Sequence, residues 1–93
     1  MAVGTATVDF GATPVEQATF SITDAALIAL TYVEPFFMSS DSTADNDANA
    51  HEMAGHLIEV VAGAPDGAGT FAVIANVLLG QVTGQFKLRY GAS

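Results

Sequence analysis

Ninety-three residues hold one domain, residues 1–93, and 51% of them are hydrophobic against only 13% charged. That is more apolar surface than so small a monomer readily hides, so the composition points to a homo-oligomer whose interfaces bury the excess. The net charge of −8, with Lys87 and Arg89 the only strong bases, repels phosphate backbones and anionic lipid, and the lack of cysteine rules out disulfides and thiolate metal sites.

The first residues, MAVGTATVDFG, lack the basic start and apolar core of a secretory signal. The longest apolar run, Ala25 to Leu30, falls well short of the ~20 residues that span a bilayer. The chain is expected to be soluble and made in the cytoplasm.

Thr5 to Phe10 alternates, with Ala6, Val8 and Phe10 on one face, which is the period of a half-buried strand. Gly11 to Pro14 is turn chemistry. Gln17 to Ile22 alternates again, with Ala18, Phe20 and Ile22 together, and Thr23-Asp24 reads as a turn. Ala25 to Met38 is predicted as one long strand broken near Glu34-Pro35, because Thr31-Tyr32-Val33 favours strand. Pro35 cannot donate to a ladder, so a strand there must be an edge, bulged or interrupted.

Ser39 to Glu52 is the single long polar run, with Asp41, Asp45, Asp47 and Glu52 and no base. Met53 to Ala62 is predicted as a strand, with Ala54, His56, Ile58, Val60 and Ala62 on one face. Asn49 with Glu52 forms a capping-box pattern that admits a single helical turn near Ala50 to Gly55. Gly63 to Gly67 is a strong turn signal. Thr70 to Leu79 restores strand periodicity through Phe71, Val73, Ala75 and Val77. After a turn at Gly80 to Gly84, Gln85 to Tyr90 alternates, with Phe86, Leu88 and Tyr90 inward and Lys87 and Arg89 outward. The sum is an all-β domain, an antiparallel β-sandwich or small barrel of about six strands with one long acidic loop.

Four groups of residues invite a chemical reading. Asp45, Asp47 and Asn49 match the first, third and fifth places of a calcium loop, but Ala50 replaces the turn glycine and His56 the bidentate Glu. Asp41, Asp45, Asp47 and Glu52 therefore stand only as weak candidates for a looser site, and a solvated acidic loop is favoured. His51 and His56 lie five apart, so they share a face on neither a helix nor a strand, and a joint zinc site is disfavoured. His56 is expected as a buried strand residue and His51 as a cap or interface residue. No spacing selects a carboxylate pair, and neither a G-x-S-x-G elbow nor a phosphate-binding loop occurs, so no enzyme activity and no cofactor are expected. Phe36 and Phe37 are neighbours on a strand and face opposite sides, so one is expected against a partner subunit. Tyr32, Phe36, Phe37, Met38 and His51 are the predicted interface residues.

Several stretches together resemble a family of small phage and prophage virion proteins. They are Gly4 to Ala12 (GTATVDFGA), Ala18 to Thr23, Tyr32 to Met38 (YVEPFFM), Thr43 to Glu52 (TADNDANAHE), Val60 to Gly63 and Gly84 to Tyr90 (GQFKLRY). The chain departs from that family at Asn46, which stands where a first loop histidine is usual, so no metal or pH role of paired histidines carries over. The resemblance implies a β-rich viral structural protein without enzyme activity. It would be a capsid decoration (cement) or neck/tail-associated homotrimer, bound to the major capsid or tail protein of a bacteriophage virion and assembled in the host cytoplasm. A small calcium- or carbohydrate-binding β module using residues 39–52 is the alternative.

Overall fold

A computed structural model describes residues 2–37 and 41–93. It contains six strands: β1 (Ala2–Asp9), β2 (Gln17–Thr23), β3 (Val33–Phe37), β4 (Ile58–Ala62), β5 (Thr70–Val77) and β6 (Gln85–Ala92). They form two three-stranded antiparallel sheets, ordered β1-β6-β3 and β2-β5-β4. The sheets pack face to face, as the period-two apolar pattern requires. Phe71 and Val73 of β5 meet Phe86, Leu88 and Tyr90 of β6 in one core, closed by Leu27. Aromatic edges lock the layers, with Phe71 and Tyr90 rings 5.2 Å apart and Phe10 and Phe20 rings 5.1 Å apart. β6 lies over β5, β3 lies beside β4, and β1 faces β2.

The long strand expected over Ala25 to Met38 does not form. Asp24 caps a short 3₁₀ turn, Ala25–Leu27, by accepting the Ala26 N–H at 3.0 Å. That turn drops Leu27 into the core with no exposure and leaves Ile28 outside. Leu27 thus acts as a plug, and of this region only Val33–Phe37 pairs as a strand. Pro35 sits on β3 at the edge of its sheet, where its missing donor is tolerated.

The strand expected over Met53 to Ala62 is also corrected. Residues Ala48–Leu57 form a ten-residue helix, α1, and only Ile58–Ala62 continues as β4. The cap is Asp47, not Asn49: the Asp47 carboxylate accepts the Ala50 N–H at 2.9 Å. Ala48, Ala50, Met53, Ala54 and Leu57 are good helix formers, and that local preference prevails over the alternation. Neither histidine takes its expected place. His51 is fully buried, and His56 lies exposed near the end of α1.

Candidate functional site

β6 is eight residues long and β3 only five, and the segment between Asp41 and His51 makes up the difference. The β3–β6 ladder ends at the pair Phe37 and Leu88. Beyond it, the Lys87 and Gln85 amides point away from β1, and no described strand pairs with them. The Lys87 N–H donates to His51 Nε2 at 2.9 Å, and the Gln85 N–H donates to Asp45 Oδ2 at 3.0 Å. The Gln85 carbonyl accepts from Thr43 Oγ1 at 2.7 Å and Asn46 Nδ2 at 2.8 Å. Polar side chains thereby replace a strand, which is one way to satisfy buried backbone groups.

His51 carries the buried end of this strap. Its Nε2 must accept, so the proton resides on Nδ1, which donates to the Asp47 carbonyl at 3.0 Å. The ring also packs 5.0 Å from that of Phe86. Asp41 anchors the other end through a two-pronged bond to Arg89, at 2.8 Å to Nε and 2.9 Å to Nη2. The hydrogen bonds from Arg89 hold the Asp41 carboxyl below the usual carboxylate range, and Asp41 in turn raises the guanidinium. Gly84 (φ +80°) lets the strap close down, because a Cβ there would come within 2.8 Å of the Asp45 side chain.

The four acids weighed as metal ligands are therefore divided among different tasks. Asp41 pairs with Arg89, Asp45 holds Gln85, Asp47 caps α1, and Glu52 projects from the helix into solvent. Among the described residues, no three His, Cys, Asp or Glu side chains converge where an ion could sit.

On the outer face of the β1-β6-β3 sheet, Val3, Gly91 and Glu34 form one cross-strand row and Thr5, Arg89 and Phe36 the next. Gly91 has no side chain, so the rows enclose an open hollow of about 840 Å³ walled by Val3, Tyr32 and Phe36, with Glu34 and Arg89 at its polar border. Tyr32 is held there by backbone bonds in both directions with Ser93, at 3.0 Å each. Val3 is 77%, Tyr32 73% and Phe36 43% exposed. Of the predicted interface residues, Tyr32 and Phe36 lie on this face. Phe37 and His51 do not: both are enclosed in the chain's own core, beside Phe86. Met38 lies outside the described residues.

Sequence reasoning missed Thr43, Asn46 and Gln85 as partners, and it missed the clamp between Tyr90 and Asp24. The Tyr90 hydroxyl donates to Asp24 Oδ2 at 2.7 Å, joining β6 to the turn after β2 across the sandwich. Burial and that bond push the Tyr90 hydroxyl up to about 12, and the same bond lowers Asp24. Tyr90 lies across Gly4, its cross-strand partner, where a Cβ would meet the ring at 2.5 Å. What this face offers chemically is an exposed apolar hollow with a few fixed polar groups at its border.

No described helix is long and apolar enough to cross a membrane. Compared with protein-family models, curated proteins and solved structures, the chain matches none.

Proposed function

We propose that the chain is a structural subunit of a bacteriophage particle. It acts by assembling with copies of itself and adhering to the capsid or tail surface as a decoration (cement) or neck/tail-associated protein. The observation that carries this reading is the amount of large apolar surface left outside the core. Val3, Tyr32 and Phe36 rim the hollow on one sheet. Val61 and Ile74, a cross-strand pair, face outward on the other. Leu78 and Leu79 stand out from the turn after β5. Patches of this kind mark protein contact surfaces, and their presence on both faces suits a subunit with several neighbours. The virion assignment draws on the resemblance of the VDFG, YVEPFFM and GQFKLRY stretches.

The test is direct. Peptide mass analysis of purified particles from a lysate is expected to find the chain at stoichiometric abundance, with matching density on the particle by electron microscopy. Its absence from purified particles refutes the virion reading. Light scattering on the isolated protein is expected to read more than one chain, and a single-chain mass at all concentrations refutes self-assembly.

A further inference from the structure

Strands β1 and β2 are the free edges of the two sheets and lie on the same side of the sandwich. In the β1–β6 ladder, Phe10 donates to Gly84, which places the even-numbered amides of β1 toward β6. The amides of Val3, Thr5 and Thr7 therefore point outward, and among the described residues none pairs with them. In β2, the bonds from Val77 to Glu16 and from Asp24 to Gly69 fix the same parity, which turns Gln17, Thr19, Ser21 and Thr23 outward.

Natural sheet edges are guarded by proline, by charge, by short length or by a covering segment. The opposite side of this sandwich uses such guards: Pro35 and Glu34 on β3, Glu59 on β4, and the strap over the end of β6. Ala2 to Val8 and Gln17 to Thr23 contain no proline and no charged residue. The core also opens here. Ala2, Ala6, Ala18 and Phe20 face inward yet remain only half-buried, whereas Phe71, Val73, Phe86 and Leu88 of the central strands are buried.

We propose that this side is a self-association surface in which β1 pairs antiparallel with β1 of a second copy, and β2 pairs with its β2. A two-fold axis normal to the sheets brings both pairs together and turns each three-stranded sheet into a continuous six-stranded one. Charge selects the occupant. With a net charge of −8, two copies repel across most of their surfaces, and the uncharged stretches Ala2 to Val8 and Gln17 to Thr23 are where they meet without placing acid against acid. The same stretches hold no acid that would recognise a basic partner, and Asp9 stands only at the far end of β1. The pairing also covers the half-open core around Ala6 and Phe20. It rests on the self-assembly reading above, names the surface, and replaces the implied trimer with a two-fold pair.

The test combines light scattering with hydrogen exchange on the intact chain and on two variants, Thr5→Pro and Thr5→Lys. The Thr5 amide points outward, so proline there spares the β1–β6 ladder, and the lysine variant covers the case in which proline prevents folding. The expected result is a wild-type mass of two chains, with the Val3, Thr5 and Thr7 amides exchanging at least about tenfold more slowly as concentration rises. Each variant that folds is expected to read one chain and to lose the protection at Val3 and Thr7. A single-chain wild type overturns both this pairing and self-assembly. A three-chain mass, or variants that associate as the wild type does, overturns the edge pairing and leaves self-assembly standing. Protection that appears only when an extended segment of a different protein is added overturns the second copy as occupant.

Discussion

The two long sides of the sandwich meet the same physical problem in opposite ways. On the β3–β4 side, every described ladder amide of β6 left bare by the short β3 finds a side chain: His51 takes Lys87 and Asp45 takes Gln85. On the β1–β2 side, the outward amides have no partner among the described residues, and Ala2, Ala6, Ala18 and Phe20 behind them are only partly covered. The contrast teaches that an edge is finished either within its own chain, by polar side chains of fixed geometry, or left open for another. The finished side closes its edge with a few polar side chains, whereas the outward positions of the open side, Val3, Thr5, Thr7, Thr19 and Ser21, make no such bond among the described residues.

That contrast can be broken at single residues. The largest effect is expected at His51, whose ring is buried and satisfies a backbone donor. His51→Ala should lower unfolding stability by about 3 kcal/mol, from the unpaired Lys87 amide and the cavity beside Phe86. Urea unfolding checks this, and a loss under about 1 kcal/mol would mean the strap contributes little. On the open side, Gly4→Ala drives a methyl into Tyr90 and should cost about 2 kcal/mol while weakening the Asp24 clamp.

The clamp also has a pH signature. Folding raises the Tyr90 pKa from 10 to about 12, so the unfolded chain holds fewer protons in that window. Stability from this group is full below about pH 10 and falls as pH rises through 12, by up to about 2 kcal/mol. Tyr90→Phe should abolish the alkaline limb of a melting profile. Asp41 and Asp24 have the opposite sign: their lowered values stabilise above the ordinary carboxylate range and lose that contribution as pH falls through it.

Removing the helix cap with Asp47→Ala should cost about 1 kcal/mol and reduce helical signal by circular dichroism. The smallest change in stability is expected at Phe36→Ser, within about 0.5 kcal/mol because the ring is already half-exposed. That variant should instead weaken adhesion to particles in a reconstitution assay, and unchanged binding would remove the hollow from the contact surface.

How much of this was legible in the sequence follows from where the information is local. Period-two stretches such as Phe71-Val73-Ala75 and Phe86-Leu88-Tyr90 place their strands within a residue or two, because the alternation itself is the sheet's demand. Pro35 admits an edge, a bulge or a break, and the structure selects the edge, with β3 continuous through Pro35. Residues 25 to 32 and 53 to 57 depart from the expected strands for one shared reason: Asp24 and Asp47 cap helical turns, and an isolated acidic cap carries less pattern than the apolar run after it. The strap could not be read at all. Thr43, Asn46 and His51 act on β6 residues about 36 to 42 positions away, and nothing in a linear pattern announces such a distance. The acid density that drew attention to metal binding reflects instead several separate hydrogen-bonding tasks packed into one connection.

The register of β1 against β6 has a consequence for how the molecule comes into being. Ala2 lies opposite Ala92, so β1 has no ladder until β6, some ninety residues later, has left the ribosome. Through synthesis β1 is bare along both edges, while β2, β4 and β5 can already close their own sheet. Sheet closure of such long range is slow and leaves sticky strands waiting. The small, weakly hydrophobic residues of β1, with Gly4 among them, reduce that hazard, since a strand so poor in large side chains gains little from premature partners until Tyr90 arrives to cover it.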